Sequence, residues 1–167
     1  MTDTVTKSAN AVSKYLVFSI AEEKYGVPIT KVREVIRHEL ISPVHNASTY
    51  LKGVINLRGK IIPIIDMRLK FGISELSYND RTVFIIVDVN GEKEVYNFGV
   101  AVDSVHDVAN ILDSDIEKLP DVGFKTTSAY LQGIAKVGTL MVMILNIDRI
   151  LNSSEIVDIS GDQVPQS

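Results

Sequence analysis

A chain that carries its own pattern twice has few folds open to it. Residues 48–53 (S-T-Y-L-K-G) return 80 positions later as residues 128–133 (S-A-Y-L-Q-G). Two apolar runs about a short polar turn follow in each case. In the first copy they are residues 54–57 and 61–65 around Arg58, Gly59 and Lys60; in the second they are 134–137 and 140–145 around Gly138 and Thr139. Upstream, residues 25–35 (Y-G-V-P-I-T-K-V-R-E-V) parallel residues 98–108 (F-G-V-A-V-D-S-V-H-D-V), 73 positions on. The unequal spacings place a longer insertion in the second copy. Two copies are too few for a solenoid and predict two similar small barrels or sandwiches in one chain. Ser48 is expected to cap a turn closed by Gly53. Asp66 is expected to cap a last helical turn stopped by Gly72, with Asn146 or Asp148 in the same place in the second copy.

The intervening residues read as short strands. Residues 15–20 and 25–29 form a hairpin across a polar turn, and Pro28, which has no amide donor, puts its strand at an edge or breaks it there. A short turn at residues 30–32 leads into a strand through Ile36. Residues 82–89 are almost wholly apolar and predict a strand buried on both faces, joined through Asn90-Gly91 to a partner over residues 95–102. Residues 105–111 continue an edge, and residues 113–119 hold a helical turn. The fold class is therefore all-β, with short helical turns and a C-terminal helix. The expected division is a mobile tail over residues 1–13, a first barrel over 14–81, a second over 82–152, and the C-terminal helix and tail over 153–167.

Composition narrows the function. The 167 residues carry a net charge of −4, against the basic footprint of a nucleic-acid binder, and aromatic residues are few. The absence of cysteine excludes disulfides, thiolate metal sites and a cysteine nucleophile. Nothing near Met1 resembles a signal peptide, and the apolar runs are too short to span a bilayer as helices, so an intracellular protein is expected. Residues 53–60 (G-V-I-N-L-R-G-K) miss the phosphate-loop spacing by one residue and end before Ile61, where a magnesium-binding hydroxyl should stand. His38, His45 and His106 lack paired metal spacing. No catalytic residue, cofactor or metal is assigned. A small barrel enzyme or ligand-binding domain with an unrecognised site remains the alternative. Arg58 stands out, at a turn between two apolar strands, with Glu34 upstream as a possible ion-pair partner. A surface turn arginine is the plainer reading of the same position.

Y-G-V-P-I-T-K-V-R-E-V, Y-L-K-G-V-I-N-L-R-G-K-I-I-P-I-I-D-M-R-L-K-F and Y-N-D-R-T-V together resemble the CheW family of bacterial chemotaxis coupling proteins, over about residues 15–152. The resemblance implies two five-stranded SH3-like β-barrels from an internal duplication, with strands that can cross between them. It implies a non-enzymatic cytoplasmic adaptor between the cytoplasmic tip of a chemoreceptor and the regulatory domain of the histidine kinase CheA, meeting the membrane only through receptor arrays. Carried over by motif, the receptor-binding residues are Val32, Glu34, Gly53, Arg58, Val83 and Val108. Ile29 is the kinase-binding residue, with residues 121–125 a further place for that contact.

Overall fold

Valine- and isoleucine-rich runs make most of the described residues extended. The computed structural model describes residues 11–45, 49–73, 78–91, 93–119 and 130–150. Its strands are β1 (Val12–Ile20), β2 (Glu23–Pro28), β3 (Val32–Arg37), β4 (Leu51–Leu57), β5 (Lys60–Asp66), β6 (Val83–Asn90), β7 (Val95–Val102), β8 (Ser104–Leu112), β9 (Ile116–Glu117), β10 (Leu131–Val137) and β11 (Leu140–Leu145). One short helix, α1 (Met67–Lys70), follows β5, and single 3-10 turns occupy Ile29–Lys31, Asp113–Asp115 and Ile147–Arg149. The C-terminal helix expected over residues 153–167, the Ser48 cap and residues 121–125 lie outside the described residues.

The strands form two sheets, ordered β8-β1-β2-β11-β10-β9 and β3-β6-β7-β5-β4. Position by position the orders match: β8 with β3, β1 with β6, β2 with β7, β11 with β5 and β10 with β4. Each contains one parallel pair, β2 on β11 and β7 on β5, where all its other pairs are antiparallel. The sixth member, β9, is two residues long, and its counterpart is the isolated bridge between Ser42 and Val54. These are two SH3-like barrels. The sheets do not divide the chain at residue 81, however. Hairpin β1–β2 completes the sheet of the C-terminal strands, and hairpin β6–β7 completes that of β3, β4 and β5. Each copy of the repeat lends its opening hairpin to the other, because the parallel partner of that hairpin lies in the other copy.

Other expectations shift locally. Val12 and Ser13, placed in the tail, pair with Leu112 and Ile111, since β8 runs far enough to offer them partners. The hairpin at Asn90-Gly91 forms, but not as a two-residue turn: Asn90 pairs with Val95, and the Gly91 N–H donates to the Glu94 carbonyl at 2.8 Å. Left-handed tight turns occur instead at Ala21-Glu22 (φ 51° and 71°) and Arg58-Gly59 (φ 52° and 85°), each joining two paired strands in the manner of a type I′ hairpin. Gly53 closes no turn. It sits inside β4 at a register shift with φ 146°, and a Cβ there would overlap the carbonyl oxygen of Ser42. Gly133 meets the Glu117 carbonyl in the same way, so the repeated glycine exists for close backbone approach. The caps at the strand ends follow the sequence: Asp66 accepts from the N–H groups of Arg68 and Leu69, and Asn146 from that of Asp148.

Three apolar clusters hold the molecule. Tyr15, Val17, Ile111, Ala135, Val142 and Ile144 fill one barrel, and Ile55, Ile62, Ile64, Phe84, Ile86 and Ala101 fill the other. The largest cluster lies between the barrels and draws on both sheets, with Phe18, Ile20 and Tyr25 from one and Ile85, Val87 and Phe98 from the other. Alternate residues of β6 therefore serve different cores, which is why that strand is apolar throughout.

Two polar struts cross the same seam. Arg68 of α1 donates from Nε and a terminal nitrogen to Asp103 (3.0 and 2.7 Å), and Asp103 also accepts from the Ala21 N–H at 2.8 Å. On the other side Lys31 bonds Asp148 at 2.9 Å, and Asp148 accepts from the Asn90 N–H at 2.9 Å. The repeat places Arg68 over Asp148, so each strut uses that position, with a cation in one and a carboxylate in the other.

Candidate functional site

The structure brings Glu34 and Arg58 together as an ion pair. Glu34 comes from β3, whose side chains alternate half-buried and exposed; Arg58 comes from the β4–β5 turn, which reaches β3 where the five-stranded barrel closes on itself. Arg58 holds φ 52° in a conformation that disfavours side chains, while the matching position of the other barrel is Gly138 with φ 62°. Glycine would serve the turn at less conformational cost. The turn is further fixed by Asn56, whose side-chain oxygen accepts from the Gly59 N–H at 2.8 Å.

The other carried-over residues are placed as follows. Val32 begins β3 and Val83 begins β6; both are half-buried against the seam core, and Val83 pairs with Arg37 at the far end of β3. Ile29 lies half-buried against the same core, in the 3-10 turn that joins the two sheets. Gly53 is buried, with the Ser42 backbone close against it. Val108 lies in the other sheet, on β8 opposite Leu16, and is 47% exposed. The repeat aligns Val35 with Val108: it pairs with Ile85 as Val108 pairs with Leu16, and at 40% it is nearly as exposed.

A polar cavity of about 320 Å³ opens between the barrels, lined by Ser19, Lys24, Arg68, Tyr78, Asp103 and His106 among others. Ser19 Oγ lies 2.6 Å from His106 Nε2 and accepts from Lys24 Nζ at 3.0 Å. Among the described residues no carboxylate bonds the other ring nitrogen of His106, as a nucleophile triad would require. The nearby carboxylates are already engaged. Burial alone would raise the Asp103 carboxyl, but hydrogen bonds from Arg68 and the Ala21 N–H, with the guanidinium charge, hold it below the ordinary aspartate range. Asp66 accepts from the Tyr78 hydroxyl at 3.0 Å, and burial with that neighbouring carboxylate drives the phenol far upward. Burial, reinforced by the charge of Glu23, pushes Tyr25 up to about 12. Among the described residues no group of His, Asp or Glu is placed to hold a metal ion, and no helix is long and apolar enough to cross a membrane. The arrangement holds shape and charge at a protein surface.

Comparison with known proteins gives the same architecture. The chain is 34% identical over 154 residues to chemotaxis protein CheW of Klebsiella aerogenes, covering 91% of this chain and 90% of that one. It is 29% identical over 150 residues to chemotaxis protein CheW of Bacillus subtilis, covering 90% and 94%. The crystal structure of the scaffolding protein TtCheW from Thermoanaerobacter tengcongensis superposes with a TM-score of 0.77 at 36% identity, covering 87% of this chain and 92% of that one. The CheW-like domain matches residues 14–155, and with two duplicated barrels, a packed seam and an arginine-bearing turn in the N-L-R-G motif, the chain belongs to the CheW-like domain family.

Proposed function

We propose that this protein is a non-enzymatic adaptor of bacterial chemotaxis that couples chemoreceptors to the histidine kinase CheA at the inner face of the cell membrane. The carrying observation is the Glu34–Arg58 pair, with an arginine kept at a turn position that the duplicate barrel gives to glycine. A guanidinium held by Glu34, with the exposed Val35 next to Glu34 on β3, suits an incoming amphipathic helix: the valine supplies apolar contact, and the ion pair fixes orientation and rejects wrong partners. Val32, Glu34, Arg58, Val83 and Val108 are the receptor-binding residues in this reading, with Val35 added to them. Gly53 supports them by letting β4 approach Ser42. Ile29, at the junction of the sheets, contributes to the kinase-binding face.

The mechanism is scaffolding. Two surfaces hold two partners in one relative geometry, and a signal passes when receptor state changes the energy of that arrangement, by about 1–3 kcal/mol in ordinary allosteric coupling. The test is capture of a receptor cytoplasmic tip and of the CheA regulatory domain, separately and together. Both are expected to bind, and Arg58→Glu is expected to lose the receptor tip at unchanged melting temperature. Full receptor binding by a well-folded Arg58→Glu protein would overturn the site.

A further inference from the structure

The Glu34–Arg58 pair is one segment of a longer chain of polar contacts around one mouth of the five-stranded barrel. Arg33, the neighbour of Glu34, donates from Nε to Asp88 at 3.1 Å. Asp88 accepts from the side-chain amide of Asn97, directly opposite it in the β6–β7 register. The Asn97 carbonyl oxygen in turn accepts from Lys60, the residue that follows the Arg58-Gly59 turn. These contacts cross β3, β6, β7 and β5 in the order the strands occupy in the sheet, and the Arg58–Glu34 pair returns to β3. The belt is closed. Ile86 and Ile62, two residues along from Asp88 and Lys60, belong to the barrel core beneath it, so the belt caps that core at its open end.

The duplicate barrel supplies an internal control. By the repeat, Arg33, Asp88 and Asn97 correspond to His106, Ser19 and Lys24, and these three are also bonded in sequence, at 2.6 and 3.0 Å. Lys60 and Arg58 correspond to Leu140 and Gly138, which have no polar side-chain atoms. Both barrels thus carry the first three rungs. Only the five-stranded barrel carries the tether and the arginine that close the ring.

We propose that Arg33, Asp88, Asn97 and Lys60 are positioning residues, whose belt holds the Arg58 turn against β3 and orders its guanidinium before a partner arrives. An exposed arginine side chain has several rotatable bonds and, left unheld, keeps much of its rotamer freedom. Fixing Lys60 to Asn97 on one flank, and Glu34 through its neighbour Arg33 on the other, removes that freedom in advance. This deepens the receptor-binding reading and rests on it only where partner affinity is concerned.

The test is an amide–carboxylate exchange across the register. Asn97→Asp alone sets a second carboxylate against Asp88 and removes the amide donor. The double variant Asn97→Asp with Asp88→Asn restores every donor–acceptor match, since residue 97 then accepts from both Lys60 and residue 88, and residue 88 accepts from Arg33. The readout is the order parameter of the Arg58 Nε–H bond in the free protein, with urea denaturation as the check on folding. In the single variant it is expected to fall from a rigid value of ~0.8 to below ~0.6, and in the double variant to recover. Receptor-tip affinity is expected to follow, falling about tenfold and returning. An Arg58 side chain that stays equally ordered in the folded single variant, or that stays disordered in the double variant, would overturn the proposal. Loss and recovery of order, with Arg58→Glu still binding the receptor tip, would sink the receptor reading and leave the belt standing.

Discussion

Arg58 concentrates the cost and the use of this surface in one residue. Its left-handed φ of 52° is one that a glycine adopts freely, and Gly138 does so in the matching turn. Arg58→Gly relieves that strain but gives up an exposed ion pair worth about 0.2–1 kcal/mol and adds backbone freedom to the unfolded chain. The terms are similar in size and opposed in sign. Equilibrium unfolding is therefore expected to change by less than about 0.5 kcal/mol, while titration with a receptor tip shows affinity reduced by about tenfold or more. A variant that keeps its stability and loses its partner separates function from folding. Sequence singled out this residue by its place between two apolar runs and offered Glu34 as a possible partner, with a surface turn arginine as the plainer reading. It did not reveal the contact between Lys60 and Asn97, which joins residues 37 positions apart on strands that only the fold makes adjacent.

At the scale of the element, β4 shows how a strand depends on what passes beside it. Gly53 lies where the chain leaving β3 comes back to bridge through Ser42 and Val54, with backbone hydrogen bonds of 2.9 and 2.8 Å. An alanine there brings a Cβ onto the Ser42 carbonyl at a φ that alanine rarely adopts. Gly53→Ala is expected to cost about 3 kcal/mol in urea denaturation, from overpacking and backbone strain together. Any loss of receptor binding in that variant would then follow from the displaced strand. In β6, Ile85 packs into the seam and Phe84 into the barrel, both nearly fully buried. Ile85→Ala is expected to destabilise by about 2–5 kcal/mol and to loosen one barrel against the other, seen as faster amide exchange in β1 and β2. The sequence predicted β6 as a strand buried on both faces, because an unbroken apolar run needs two apolar environments.

For the whole molecule, the seam combines a non-directional apolar core with two directional struts. Apolar packing holds the barrels together, whereas the Arg68–Asp103–Ala21 and Lys31–Asp148–Asn90 contacts fix how one is turned on the other. The Asp103 carboxyl is held below its ordinary value, so its contribution to stability is present above about pH 3.8, where the unfolded chain's aspartate is ionised. That contribution fades as pH falls through the depressed folded value. Asp103→Asn is expected to lower stability by roughly 1–2 kcal/mol at pH 7, from the charged hydrogen bonds it weakens in a partly exposed place. The gap between the variant and the parent should shrink as denaturation is repeated below pH 3.8. A gap independent of pH would mean that the strut contributes no charge interaction.

By itself the sequence determined that this chain is all-β and duplicated, that Asp66 caps the turn after its strand, and that Arg58 stands at a turn with Glu34 as a candidate partner. Those properties are local: apolar runs, turn residues and repeated motifs act over a few positions and stay legible in one dimension. Only the tertiary structure decided which hairpin joins which sheet, why Gly53 and Gly133 must be glycine, and how Arg33, Asp88, Asn97 and Lys60 meet. The physical reason is the exchange of hairpins between the copies. It makes the decisive neighbours of each residue come from strands far along the chain, and no short-range pattern records that pairing.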